Sequence, residues 1–156
     1  MSSLELKYPP VAVFLVCAVL VPVLAFVFPG FGMSGGDPWK SAIASLVGSA
    51  GLMLGLAGVV QFRMHRTTVH PQHPERSSSL VTDGVYGFTR NPMYLGLALV
   101  LAAFGVFYML HLAGVLCTAA FVFWMNRFQI EPEERMMQEK FGAQYHAYSQ
   151  RVRRWI

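Results

Sequence analysis

Charge is what this sequence has least of. Asp, Glu, Lys and Arg make up 13% of its 156 residues, against about 25% in an ordinary soluble domain. So few charges cannot cover a water-facing surface, which argues against a soluble globular enzyme. Cysteine is scarce too. Cys17 and Cys117 each fall inside an apolar run, so they read as buried thiols acting as small hydrophobes rather than a disulfide framework. The N-terminus lacks the basic n-region and small-residue exit of a cleavable signal peptide. His65, His70 and His73 match no zinc-ligand spacing, no cysteine joins them and prolines flank two of them, so no metal is expected.

What is present is hydrophobicity, at 54% of the chain. Residues 11–28 and 41–62 carry no charge, and each approaches the roughly 20 residues that cross a bilayer. Residues 93–125 are also free of Asp, Glu, Lys and Arg. As one helix that run would be about 50 Å long, far beyond a hydrocarbon core of about 30 Å. It must fold back, most simply near His111. The expected fold is therefore an all-α integral membrane protein of one domain. Four transmembrane helices at about 10–29, 41–62, 92–109 and 112–128 form two hairpins.

The net charge of +4 is concentrated in residues 63–90 and 126–156, each of which carries a net +2. Placing these basic segments on the cytoplasmic side puts both termini there, and a short chain without targeting signals suits a bacterial inner membrane. Membrane lipids account for the basic groups, so no nucleic acid partner is expected. Gly51 and Gly55 form a G-x-x-x-G in the second span, which suits close helix packing within the chain ahead of a homo-oligomer interface.

After the fourth span, Glu131-Pro132-Glu133-Glu134 is a strong helix start. Met137, Phe141, Tyr145, Tyr148 and Val152 then mark one apolar face of an amphipathic segment, which Gly142 can split in two. This face can lie against the bundle or the membrane, with Arg151, Arg153 and Arg154 reaching phosphates. Polar clusters at 77–94 and 126–134 become neighbours if the third and fourth spans fold back on each other. They would build a pocket with apolar walls, the aromatic edges of Tyr86, Phe88 and Tyr94, hydroxyls, one or two Arg and several carboxylates. Pro92 starts a helix whose first N–H groups can face a polar ligand. An ordinary interfacial anchor would also use such residues.

Leu80-Val81-Thr82-Asp83-Gly84-Val85-Tyr86, Arg90-Asn91-Pro92-Met93-Tyr94-Leu95-Gly96, Glu133-Glu134, Phe141-Gly142, Tyr145, Tyr148 and Val152-Arg153-Arg154 resemble the isoprenylcysteine carboxyl methyltransferases and related phospholipid methyltransferases. The resemblance covers roughly residues 70–156. It implies methyl transfer from S-adenosylmethionine to a lipid-like or amphipathic acceptor at the cytoplasmic membrane edge. It also implies a cofactor site formed by Ser78, Ser79, Leu80, Val81, Tyr86, Arg90, Asn91, Pro92, Met93, Tyr94, Glu133 and Glu134, with His70 contributing from the loop.

Two positions depart from the family pattern. Asn91 stands where His is common, and Gln129 stands where many members place an Arg four residues before the carboxylate. Gln129, or Arg127 beside it, is then the candidate for orienting the substrate, although two residues along an α-helix diverge by about 200°. A membrane reductase related to sterol reductases and a non-catalytic membrane interaction protein are the competing readings. The first lacks a basic set for a nicotinamide phosphate, and Gln129 alone favours the second.

Overall fold

The computed structural model describes residues 4–31, 38–65, 79–108 and 111–156. Every regular element among them is helical. Helix α1 spans Pro10–Val27 and α2 spans Pro38–Met64. A short 3-10 turn, Gly84–Gly87, leads into α3, Pro92–Ala102, which widens into π-helical turns at Ala103–Tyr108. Helix α4, Leu112–Trp124, likewise widens at Met125–Ile130 and continues as α5, Glu131–Phe141, before α6, Ala143–Arg151.

The expected spans match these helices to within a few residues. Two of the helices, α1 and α2, are long and apolar enough to cross a membrane. α3 and α4 are shorter as unbroken α-helix because π turns interrupt each apolar run. The second interruption has a covalent cause. Pro132 has no N–H to offer the Phe128 carbonyl one turn earlier, and its ring crowds that carbonyl. The turn opens, and the Glu131 N–H reaches five residues back to Asn126 O.

The outer faces of α1 and α2 carry exposed Leu15, Val16, Val19, Phe26, Leu46, Met53 and Leu56. That much contiguous apolar surface is a liability in water, whereas lipid tails are as apolar as leucine. The inner face of α1 closes with α3 and α4 around Cys17, Val21, Leu101, Cys117 and Phe121, so both cysteines pack as small hydrophobes.

The first two helices do not form a packed hairpin. α1 lies chiefly on α4 and α3, whereas α2 lies along α3. Glycine decides this pairing. A Cβ at Gly51 would sit 2.8 Å from Gly96 O, and one at Gly96 would sit 2.9 Å from the Gly55 backbone. The G-x-x-x-G of α2 is thus used within the chain, at the closest approach of two backbones.

The expected turn into the fourth span does end at His111; residues 109–110 lie outside the described ones. His111 caps α4 by accepting the Ala113 N–H on Nδ1 at 3.0 Å, and its Nε2 bonds the Phe28 carbonyl at 2.9 Å. The end of α1 is thereby tied to the start of α4.

Gly142, with φ of +49°, separates α5 from α6. The apolar face beyond it is spent inside the protein: Tyr145, Tyr148 and Val152 are buried together and pack with Leu80.

The glycine contact predicts unequal tolerance along one helix. Gly96→Ala and Gly51→Ala are expected to destabilise the protein by about 1–3 kcal/mol through overpacking. Gly55→Ala, whose added Cβ would find its nearest neighbour at 3.9 Å, should be close to neutral. Denaturant unfolding in detergent measures the difference.

Candidate active site

The segment before α3 is held from two sides. From α2, the Gln61 side-chain oxygen accepts the Val85 N–H at 3.2 Å, His65 meets Asp83 at 3.0 Å, and Phe62 stacks edge-on against Tyr86 with ring centres 5.1 Å apart. Gly84, with φ of +54°, makes the reversal in a region open to glycine. From the C-terminal segment, the Arg153 carbonyl accepts the Arg90 N–H at 3.0 Å, and the Arg154 carbonyl accepts the Asn91 side-chain amide at 2.9 Å. The Tyr148 hydroxyl donates to the Tyr86 carbonyl at 2.8 Å. Asn91 therefore serves at least partly as a structural tie.

Across from this segment stand two adjacent carboxylates with opposite surroundings. Glu134 takes a two-pronged contact from Arg154, at 3.1 and 2.7 Å, and a third from Arg90 at 3.0 Å. Its charge is compensated. Glu133 instead accepts from the Tyr94 hydroxyl at 2.6 Å and from the Gln129 amide at 2.6 Å, both neutral donors. Burial pushes its carboxyl up to about 7; the bonds from Tyr94 and Gln129 oppose the shift, and the charge of Glu134 adds to it. The residue as a whole keeps intermediate exposure, so it is the inward-turned carboxyl that is withdrawn from water. Tyr145 is raised to about 12 by burial and then by Glu134. Tyr86 and Tyr148 are raised further, also mainly by burial. All three phenols stay protonated at neutral pH and remain donors.

Between these groups lies a cleft with about 650 Å³ of empty space, partly open to solvent. Ser79, Leu80, Val81, Tyr86, Arg90, Asn91, Met93, Tyr94, Glu133 and Glu134 line it, so most of the expected cofactor residues converge. Pro92 is buried as the first residue of α3. Gln129, 2% exposed, sits behind Glu133 instead of on the cleft wall. Arg127 is not brought there: it pairs with Glu5 at 3.2 Å and Glu131 at 3.7 Å. His70 and Ser78 lie outside the described residues.

Phe62, Ile130, Met137, Tyr145 and Tyr148 also line the cleft, beyond the residues that the sequence points to. The two tyrosines belong to the apolar face visible in the sequence, which faces the cleft as well as the core. Phe62 had no local signal, because only the docking of α2 on the 84–87 turn brings it in.

Among the described residues, three buried side-chain polar atoms lack a hydrogen-bond partner: Ser79 Oγ, Tyr86 Oη and Arg90 Nε. All three belong to this one cleft. An unsatisfied buried polar atom is unfavourable by about 1–3 kcal/mol, so their convergence points to a ligand that supplies the missing bonds. Among the described residues no cluster of His, Cys, Asp or Glu is disposed to hold a metal ion.

The raised Glu133 carboxyl has a thermodynamic consequence. Its folded value, about 7, lies above the ordinary 4.5, so the folded state binds its proton more tightly than the unfolded chain does. The stability this gives is full below about pH 4.5 and is lost as pH rises through about 7. Relative to Glu133→Gln, the ligand-free wild type is expected to lose up to about 3 kcal/mol across that window. Parallel unfolding curves at pH 5 and pH 8 would measure this. Equal pH dependence in the two proteins would show that the carboxyl is not raised.

A model of the phospholipid methyltransferase family matches residues 39–144, from the start of α2 to the start of α6. An uncharacterized protein of Haemophilus influenzae is 42% identical over 64 residues, spanning 41% of this chain and all of that protein. The family match contains the paired carboxylates, the Gly84–Gly87 turn, and all of α3 and α4, and so both walls of the cleft except Tyr145 and Tyr148. This chain belongs to the phospholipid methyltransferase family, a family of membrane-associated methyltransferases.

Proposed function

We propose that this protein transfers a methyl group from S-adenosylmethionine to a lipid-like or amphipathic acceptor at the cytoplasmic edge of the membrane. The observation that carries this reading is the set of three unpartnered polar atoms converging beside Glu133 in one aromatic-walled cleft. S-adenosylmethionine fits that donor and acceptor set. Its ribose hydroxyls and ammonium suit Glu133 and Ser79, its carboxylate can accept from the unpartnered Arg90 Nε–H, and its adenine and sulfonium suit the faces of Tyr86, Tyr145 and Tyr148. When bound, it supplies an electrophilic methyl group on sulfur.

The chain's own contribution is alignment and exclusion of water. Methyl transfer depends on an in-line approach, and the Tyr94–Glu133–Gln129 bonds hold one wall of the cleft rigid. Leu80, Val81, Met93, Ile130 and Met137 keep the rest of it dry.

A lipid-like acceptor is supported by a second, almost wholly apolar groove between α1, α2 and α3. It holds about 910 Å³ of empty space and runs along Leu52, Leu56, Leu97 and Val100 to Met93 and Tyr94, which it shares with the cleft. A hydrocarbon chain in this groove would bring its polar end to the methyl donor. The same reading takes the chain as a single domain 1–156 with four membrane crossings and both termini cytoplasmic, as in a bacterial inner membrane protein, on the strength of the basic segments 63–90 and 126–156. Labelling of a probe at residue 156 from the outside would contradict that topology.

The charges favour a neutral or thiol-type acceptor over a prenylcysteine carboxylate. Gln129 brings no charge, Arg127 is held by Glu5, and Arg90 and Arg154 both bind Glu134. A carboxylate leaving water there would compete with Glu134 for guanidinium groups that are already engaged. Methyl transfer to a farnesylcysteine analogue, its amide and a long-chain thiol distinguishes these cases. Turnover of the free carboxylate alone would overturn the acceptor assignment.

Two substitutions test the cofactor. Glu133→Gln is expected to weaken S-adenosylmethionine binding at least tenfold, about 1.4 kcal/mol, because a charge-assisted bond becomes a neutral one. Tyr86→Phe should also weaken binding, yet leave the stability of the ligand-free protein unchanged or slightly raised, since the hydroxyl it removes has no partner. Calorimetry with S-adenosylmethionine gives both affinities, and wild-type affinity in both variants would refute the site.

A further inference from the structure

The N-terminal residues reach across to the back of the helix that carries Glu133. The Leu6 N–H donates to the Phe128 carbonyl at 2.9 Å. This is the carbonyl to which Pro132 can donate nothing, so a residue far away in sequence supplies the bond. The neighbouring Glu5 side chain is 4% exposed and bridges two guanidinium groups on the same helix, Arg127 at 3.2 Å and Arg135 at 2.6 Å. These contacts bracket Pro132 on both sides. The opposite face of the same stretch presents Gln129 and Glu133, joined to each other and to Tyr94. Residues 5 and 6 lie outside the family match, which begins at residue 39.

We propose that Glu5 and Leu6 form a strap that sets the position of Gln129 and Glu133 at the cofactor cleft. Glu5 is thus a positioning residue that acts through the helix and does not touch the ligand. The physical basis is the π-helical opening at Met125–Ile130. A helix interrupted by proline has lost a bond that would hold its two halves in register, and the strap clips those halves together from outside. Glu5 also holds Arg127 on the outer side, away from Tyr94 and Glu133. This inference rests on the reading that Glu133 faces S-adenosylmethionine.

The test uses the full chain in detergent, with wild type, Glu5→Gln, Arg135→Gln and the exchanged pair Glu5→Arg/Arg135→Glu. S-adenosylmethionine affinity is measured by calorimetry from pH 5.5 to 8.5, and thermal unfolding is followed without ligand. Glu133 is faced by Tyr94 from α3, Gln129 and Glu134 from its own helix, Tyr86 from the 84–87 turn and Tyr145 from α6. Slackening the Tyr94 and Gln129 bonds removes stabilisation of the ionised carboxyl, so the pH midpoint of binding should rise. Glu5→Gln and Arg135→Gln should each weaken binding three- to tenfold with that upward shift, and the exchanged pair should recover part of the loss. Wild-type affinity and midpoint in both single variants would overturn the strap alone. Weaker binding with an unmoved midpoint and a lowered unfolding temperature would also overturn it, by reducing Glu5 to a general stabiliser. A wild type that binds no S-adenosylmethionine would overturn the cofactor reading and the strap's role with it.

Discussion

The hydrogen bond from Tyr94 to Glu133 joins the first turn of α3 to the first turn of α5, and the candidate site is organised around it. At 2.6 Å it is short, as expected where one partner carries charge. It forms where the backbone is least regular, between the Pro92 start of α3 and the π-helical opening that Pro132 imposes on α4. Two prolines create the irregularity, and one side-chain bond spans it. Gln129 reinforces the junction from behind, so the carboxyl is positioned from two directions.

The neighbouring Glu134 shows why the sequence needs two acids here. Arg90 and Arg154 converge on it from either side, which ties the segment before α3 to the C-terminal segment and compensates the carboxylate within the protein. Glu133, one residue earlier and turned about 100° around the helix, is left with neutral partners. One carboxylate therefore closes the structure, while the other is left to face the cleft with neutral partners. The division depends on helical phase and on where the arginines lie, not on any difference between two glutamates.

The membrane supplies the other constraint. Without a hydrophobic force to pull helices together in lipid, close packing of small residues has to hold them. Gly51, Gly55 and Gly96 let α2 and α3 approach until their backbones touch. That approach brings the end of α2, with Gln61 and Phe62, against the 84–87 turn and completes one wall of the cleft. A packing requirement inside the bundle thus positions aromatic groups at its edge.

Local chemistry determined a good deal of this protein. Scarce charge and long apolar runs specified helices with lipid-facing surfaces, and the length of the run at 93–125 demanded a reversal at His111. Pro92 and Gly142 marked helix boundaries and Pro132 a break in helical regularity, since proline and glycine act on the backbone wherever they stand. The periodic apolar face after Gly142 and the motif around Arg90 to Gly96 were equally legible. Other features were not. That α1 lies on α4 while α2 lies on α3, that Gln129 faces Glu133, and that Arg127 turns outward to Glu5 all depend on which surfaces meet. Residues 5 and 127 are distant in sequence, and no periodicity encodes their meeting. A side chain's partner is set by the packing of whole helices, which sums many weak contacts along their length, whereas a turn or a span is written in a few adjacent residues.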